Sequence, residues 1–267
     1  MRVVNGAAKA RESEELVDAD VPAAVVCAHC GDAECPGCLN EELRSGVVAV
    51  VPWERPGAPT FTRLWATARA TTLDADRFFE TLPDGPLAPA LRFAVASEMI
   101  ASAAMGLLLM VPITLLAPGW VKHVFVDEGA TLIRFVVAGV PALAALLVAA
   151  HVAHGWALDR GARTSGARGA TTRALRFGLY ATGWDLVIGP LGVIVVALKE
   201  GVRPALSIAG VGVGLPGRCA RAFLRGCYHL EGRSQHPALR ASTIAAVAAT
   251  AVGTVAVIAA MAAAFLI

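Results

Sequence analysis

Long apolar segments fill the last two thirds of this chain, whereas its first third is polar. A helix needs about 20 consecutive apolar residues to cross a hydrocarbon core of about 30 Å. Residues 93–121, 135–158, 177–198 and 241–267 reach this length with at most one Asp, Glu, Lys or Arg each. A shorter Gly-rich stretch, residues 202–220, is predicted as a further span. The pattern therefore predicts an all-α fold, a polytopic transmembrane helix bundle of about five spans.

The arginines predict how these spans are oriented. Residues 160–176 and residues 218–240 each contain five arginines, whereas the connection after the first span offers Lys122 beside two acidic residues. Basic loops stay on the cytoplasmic side of a membrane. Both arginine-rich loops lie on the same side of the membrane as the N-terminus only if residues 202–220 also cross the membrane. We therefore predict a cytoplasmic N-terminus and an external C-terminus, with a broken or re-entrant segment around Gly189–Pro190 as the alternative.

Composition agrees with a membrane protein that has a polar head. The 267 residues are 56 % hydrophobic and 16 % charged, against about 45–50 % and about 25 % in soluble domains. The predicted organisation is a head (1–50), a linker with juxtamembrane amphipathic helices (51–90) and a transmembrane domain (91–267). The Ala-, Gly- and Arg-rich composition is typical of GC-rich bacterial genomes. No secretory signal peptide is recognised before the first span, which predicts a multi-pass protein of the bacterial inner membrane with a cytosolic head.

The aromatic residues divide between two predicted environments. Phe61, Trp65, Phe78 and Phe79 give the juxtamembrane helices an apolar face that is expected to lie in the headgroup layer. Trp184 falls in the middle of a span beside an acidic residue. We expect its ring to pack inside the bundle.

A quartet of cysteines in the head is the clearest candidate for metal chemistry. The four residues are Cys27, Cys30, Cys35 and Cys38. Four thiolates suit tetrahedral zinc in a closed, structural site. The gap of four residues between the two pairs is shorter than the usual gap of about 12–20, so an iron–sulfur cluster, a redox dithiol and unmetallated thiols stay open. Cys219 and Cys227 are predicted to be free thiols.

Ionisable residues inside the predicted spans are the second candidate site. A charged Asp at the centre of a span costs about 2.5–3.5 kcal/mol, so Asp185 is expected either to bind an ion or proton or to satisfy backbone groups at a kink. Glu98 and His151 lie at similar depths, about 10 Å from one end of their spans. They are expected to meet, as a proton relay or as a structural hydrogen bond between helices. His154 shares a helical face with His151.

Three short motifs resemble the Yip (Ypt/Rab-interacting protein) domain family in its bacterial form. They are "PWE" at residues 52–54, "FFETLPDGPLAPALRFA" at residues 78–94 and "ALKEGVRPAL" at residues 197–206. The similarity extends over roughly residues 52–217. It implies a five-helix membrane domain without established catalytic residues. Eukaryotic members are associated with vesicle trafficking and small GTPases, but their acidic-Leu-Tyr-Gly-Pro motif is absent here.

These observations favour a non-enzymatic, Yip-like membrane protein whose zinc-binding head scaffolds partners or organises the membrane. The head is either a recognition module for a protein partner or a staple that orders the N-terminus. The alternative is a transporter or channel that uses Asp185 with Glu98 and His151. An intramembrane enzyme is disfavoured, because no nucleophile–base set, phosphate-binding loop or dinucleotide motif occurs. The lipid bilayer is an expected partner, because its anionic headgroups explain the arginine-rich loops better than nucleic acid does. The sequence leaves open whether the chain forms a homo-oligomer.

Overall fold

The computed structural model describes residues 51–127, 129, 133 and 135–266, and within them it is helical, with no β-strand. The head of residues 1–50 lies outside this part of the chain. The described α-helices are α1 (Thr60–Leu73), α2 (Ala75–Glu80), α3 (Leu87–Leu116), α4 (Pro118–Lys122), α5 (Val140–Thr164), α6 (Thr171–Ala181), α7 (Gly183–Val187), α8 (Pro190–Glu200), α9 (Val202–Tyr228) and α10 (His236–Leu266). Short 3₁₀ segments occupy Pro52–Glu54 and Gly232–Gln235, and π-helical turns occupy His123–Asp127 and Phe135–Gly139.

Four helical segments of the described chain are long and apolar enough to cross a membrane. They are Leu87–Leu116, Val136–Thr164, Thr171–Glu200 and Gly232–Ala256. The predicted all-helical fold is thereby confirmed, and the four segments are compatible with the predicted transmembrane bundle. The first segment ends at Leu116, short of the predicted residue 121, because the backbone turns at Ala117 and Pro118 starts a new helix.

The predicted fifth span, residues 202–220, is helical but is not among these four segments. It belongs to α9, whose apolar stretch lies between Arg203 and Arg218. Residues 204–217 rise only about 21 Å as a helix, less than a hydrocarbon core of about 30 Å. A crossing by α9 therefore stays a prediction.

The third span is interrupted twice. Helix α6 ends at Ala181, the short helix α7 follows, and α8 starts at Pro190. Gly189 has an extended backbone (ψ −172°), and Pro190 lacks the N–H that would continue the preceding helix. A side chain on Gly189 would collide with the carbonyl of Asp185. The break coincides with the Gly189–Pro190 position that the sequence marked, and it leaves Asp185 on an isolated turn of helix.

Helix α5 is the central helix, in contact with α3, α6 and α10. Small residues let its backbone approach two of these neighbours closely, as is common between membrane helices. A Cβ on Gly178 of α6 would strike the carbonyl of His151, and a Cβ on Gly161 would strike the backbone of Ala238 in α10. These approaches fix how α5 is rotated relative to α6 and α10.

Residues 51–84 pack onto the bundle through an aromatic core. Phe79 is fully buried, with its ring 4.7 Å from that of Phe177 and 5.9 Å from that of Trp184. The prediction that Phe79 lies in the headgroup layer is therefore wrong, because α2 packs between the third span and α9. Phe61 and Trp65 do remain exposed, and Trp184 lies inside the bundle as predicted.

The two arginine-rich loops lie at the same end of the bundle as residues 51–84; we call this the arginine-rich end. The ion pairs that join these segments are Glu54–Arg176, Asp84–Arg173, Asp76–Arg218 and Glu80–Arg225. Ser165 Oγ also donates a hydrogen bond of 2.9 Å to the carbonyl of Ser234, which joins the two loops directly. Helix α9 therefore returns to the end at which the third span starts.

Candidate functional site

Three ionisable side chains from three different spans meet inside the bundle. Glu98 comes from α3, His151 from α5 and Asp185 from α7. His151 Nε2 lies 2.9 Å from Asp185 Oδ2 and 3.6 Å from Glu98 Oε1. One atom from each residue lies within 4.8 Å of the other two. We call this cluster the intramembrane triad.

Helix packing positions each member of the triad. Ser97, next to Glu98, lies 2.9 Å from Thr182 Oγ1 at the break between α6 and α7, which holds α3 against the turn that carries Asp185. The Trp184 ring contacts the His151 imidazole at 5.8 Å between centroids. The backbone of His151 is itself held by the close approach of Gly178. The triad is thus built on packed helices.

Glu98 is buried against the other two members of the triad without a well-formed hydrogen bond to either. Its side chain is fully buried, and neither carboxyl oxygen makes a hydrogen bond of ordinary geometry to a described residue, although Oε1 lies 3.6 Å from His151 Nε2. Buried polar groups are almost always paired, because an unpaired one keeps its full desolvation penalty of about 1–3 kcal/mol or more. A buried carboxyl that faces a histidine and an aspartate without a well-formed hydrogen bond indicates a place for a proton or a metal ion.

Charge balance leads to the same conclusion. With His151 protonated and both carboxylates ionised, the triad carries one uncompensated negative charge in a low-dielectric setting, which is unfavourable. A proton on one carboxyl balances it. A divalent cation on two carboxylates and a neutral imidazole does so as well.

The donor set fits a divalent metal. Carboxylate oxygen and imidazole nitrogen bind zinc at about 2.0–2.2 Å, and three protein ligands with one open position are the pattern of sites that exchange water or substrate. Other first-row divalent metals accept the same donors. The Asp185 side chain is 35 % exposed and that of His151 16 %. The triad therefore opens on the side of Asp185, with Glu98 at its closed end.

His154 does not join the triad. Its Nδ1 lies 3.4 Å from the carbonyl oxygen of Ser242, and its ring packs against Phe177 at 5.7 Å. One helical turn separates it from His151, but it is directed toward α10. Its described contacts are those of a buried residue at the α5–α10 interface.

The cysteines give two different outcomes. The predicted metal ligands Cys27, Cys30, Cys35 and Cys38 lie outside the described residues, so the zinc site stays a prediction. Cys219 and Cys227 are free, as predicted. Burial raises the pKa of the Cys227 thiol to about 11.

A buried ion pair that the sequence did not indicate joins the linker to the third span. Arg176 is fully buried, and its Nη2 lies 2.9 Å from Glu54 Oε1, while its Nη1 donates 2.8 Å to the carbonyl of Pro86. Tyr180 donates its hydroxyl to the same Glu54 oxygen. The sequence predicts Arg176 only as one charge of a basic loop, although its spacing of four residues from Tyr180 places both on one helical face.

A second network fastens the end of α9. Asp159, buried at the end of α5, accepts hydrogen bonds from the Tyr228 hydroxyl at 2.6 Å, from Thr171 Oγ1 at 2.9 Å and from the backbone N–H of Ala170 at 2.9 Å. Burial, together with the Asp159 carboxylate, raises the pKa of Tyr228 well above its usual range. The network closes the loop between α5 and α6 and holds α9 against it.

Comparison of the chain with protein-family models, with curated proteins and with solved structures found no match.

Proposed function

We propose that this chain is a membrane transporter or channel that binds a cation at Glu98, His151 and Asp185. The observation that carries the proposal is the convergence of the fully buried Glu98 carboxyl with a histidine and an aspartate from two other spans. Such a cluster is costly inside a membrane. A cation that balances its charge offsets that cost.

The broken third span supports translocation rather than static binding. Transporters commonly form their ion sites where a membrane helix is discontinuous, because the freed backbone groups line a cavity. Asp185 lies on the turn α7, between the breaks at Thr182 and Ile188–Gly189. Asp185, the most exposed side chain of the triad, therefore belongs to the span that is interrupted twice.

Flux measurements in proteoliposomes test the proposal. Vesicles that contain a pH-sensitive or a zinc-sensitive dye report proton or divalent-metal entry, and the two dyes separate these cations. We expect Asp185→Asn, Glu98→Gln and His151→Asn each to lower flux at least about tenfold, which corresponds to about 1.4 kcal/mol. Matched controls are Glu200→Gln and His229→Asn, two exposed positions outside the triad. Flux that survives both Asp185→Asn and Glu98→Gln would contradict the proposal.

A second candidate is the Yip-like, non-enzymatic organiser with a cytosolic zinc head. The observation that favours it is that the resembling motifs form an integral part of the bundle. Trp53 of "PWE" donates a hydrogen bond of 2.8 Å to the carbonyl of Pro89 and contacts the Phe93 ring. Cross-linking of the full chain in membranes tests it: a partner should be lost with Cys27→Ser and Cys35→Ser and kept with Cys227→Ser. Recovery of the same partner from all three variants would count against a role for the head.

We also propose that the arginine-rich end faces the cytosol of a bacterial inner membrane. The support is that both arginine-rich loops and residues 51–84 lie at one end, and that basic segments are retained on the cytoplasmic side. With a crossing by α9, the C-terminus lies outside. The head then lies in a reducing compartment, where cysteines bind metals rather than form disulfides.

A further inference from the structure

A basic cleft lies at the arginine-rich end, between the end of α9 and the start of α10. Its volume is about 650 Å³. The residues that matter for its chemistry are Arg221, Arg225, Arg233, His236 and Leu239, all of which line it. It shares no residue with the intramembrane triad.

The loop that forms one wall of the basic cleft is rigidly attached to α9. Gln235 is buried, and its Nε2 donates hydrogen bonds to the carbonyl of Leu230 at 2.7 Å and to the carbonyl of Arg221 at 3.3 Å. His229 adopts a left-handed conformation (φ 53°) that ends α9. Glu231 and Ser234 cap the short 3₁₀ turn that follows. These hydrogen bonds tie the loop that carries Arg233 to the turn of α9 that carries Arg221.

The charge of the basic cleft is unbalanced. Arg221 and Arg233 are exposed, and neither makes an ion pair with another residue of the described chain. Arg225 shares its charge with Glu80 at 3.1 Å. Glu231 is the one acidic residue among those that line the cleft, and its single negative charge does not balance both arginines. A fork of guanidinium groups matches the oxygens of a phosphate.

The basic cleft also has an apolar side that continues into the membrane. Leu239 lines it, and α10 continues from there as the last of the four long apolar segments. A free phosphate makes no use of such a surface. A phospholipid fits both parts, with its phosphate between the arginines and its acyl chains along α10.

We propose that the basic cleft binds the headgroup of an anionic phospholipid, whose acyl chains lie along α10. This inference does not depend on cation transport, since the residues involved are different. Anionic lipids are attracted to basic residues at the cytoplasmic surface of membranes. The basic cleft adds two freely available arginines, a fixed loop and an apolar wall to that general attraction.

Lipid retention by the full chain tests the proposal. The protein is extracted from vesicles that contain equal amounts of phosphatidylglycerol and phosphatidylcholine, and bound lipids are counted by native mass spectrometry. We expect phosphatidylglycerol to be retained about fivefold over phosphatidylcholine, a ratio worth about 1 kcal/mol. The double variant Arg221→Gln/Arg233→Gln should lose this preference. The control Arg92→Gln/Arg168→Gln removes two exposed arginines outside the cleft and should keep it.

Three results would overturn the proposal. They are equal retention of the two lipids by the native chain, equal loss of the preference in the control variant, and displacement of the lipid by inorganic phosphate at similar concentration. The last result would assign the cleft to a free oxyanion. Because both double variants remove two positive charges, general surface attraction predicts the same loss in each. Circular dichroism melting of each variant shows whether it is folded.

Discussion

The guanidinium of Arg176 lies 2.9 Å from the carboxylate of Glu54 and is fully buried, so an ion pair holds the linker before the first span against the third span. The same carboxylate oxygen accepts the hydroxyl of Tyr180. An arginine in this position cannot reach water if its partner is removed. The pair is therefore expected to govern the stability of the arginine-rich end.

Glu54→Gln should destabilise the fold by about 3 kcal/mol, because it leaves a buried guanidinium without its counter-charge. Tyr180→Phe removes one hydrogen bond and should cost about 1 kcal/mol. Thermal unfolding of the detergent-solubilised protein measures both. Asp74→Asn, an exposed acidic position without a described side-chain contact, is the matched control. Equal melting temperatures for the Glu54 and Asp74 variants would contradict this account.

The close approach of α5 and α10 should make Gly161 intolerant of any side chain. A Cβ there would strike the backbone of Ala238, so Gly161→Ala should destabilise the protein by about 1–3 kcal/mol through overpacking. Gly106→Ala is the control, since it also lies in a helix but has open space around the new methyl group. It should be neutral or stabilise by up to about 1 kcal/mol. The comparison requires unfolding measurements on both variants, and similar losses would argue against this packing.

The thiol of Cys227 should be unreactive at neutral pH. Burial raises its pKa to about 11, above the ordinary value of about 8.5, so the thiol stays protonated until the pH approaches 11. Because the thiolate is the nucleophile, alkylation at pH 8 should be about 100-fold slower than for an ordinary cysteine. Iodoacetamide labelling followed by mass spectrometry measures the rate. In denatured protein Cys227 should react at the ordinary rate. Fast labelling of Cys227 in the folded protein would contradict the expected protection of this thiol by burial.

The cysteine quartet should bind one zinc ion. Elemental analysis of the purified chain should show one equivalent that Cys27→Ser or Cys35→Ser removes, because each variant breaks a four-thiolate site. Cys227→Ser should keep the metal. Glu98→Gln tests whether zinc is bound at the intramembrane triad instead, because this substitution should leave the zinc at the cysteine quartet in place. Purified chain with no zinc, or zinc unaffected by Cys27→Ser and Cys35→Ser, would remove the metal site from the head.

The arginine-rich loops should be accessible from the same side of the membrane. In a cysteine-free background, Arg168→Cys and Arg233→Cys should both react with a membrane-impermeant reagent from one side, because Ser165 and Ser234 are hydrogen-bonded to each other. Glu200→Cys should react from the other side if the third span crosses. Labelling of the two loops from opposite sides would eliminate both the five-span topology and the arginine-rich end described above.

Much of the fold follows from local sequence. The apolar segments, their approximate limits and the break at Gly189–Pro190 depend on hydrophobicity and proline chemistry within about 20 residues. The contact between Glu98 and His151 was also accessible, because depth along a helix follows from residue count. Local sequence does not decide whether α9 crosses the membrane, because its apolar stretch is intermediate in length.

By itself the sequence determined that this protein is helical, with long apolar segments that contain a few ionisable residues and with arginines concentrated in two loops. Those properties follow from the identity of each residue and of its near neighbours in the sequence. Only the tertiary structure decided that Asp185 joins Glu98 and His151, that His154 does not, and that Phe79 and Arg176 are buried. Such contacts depend on how each helix is rotated about its axis. That rotation is decided by close packing at Gly161 and Gly178 and by the turn between α6 and α7, which involve residues distant in the sequence.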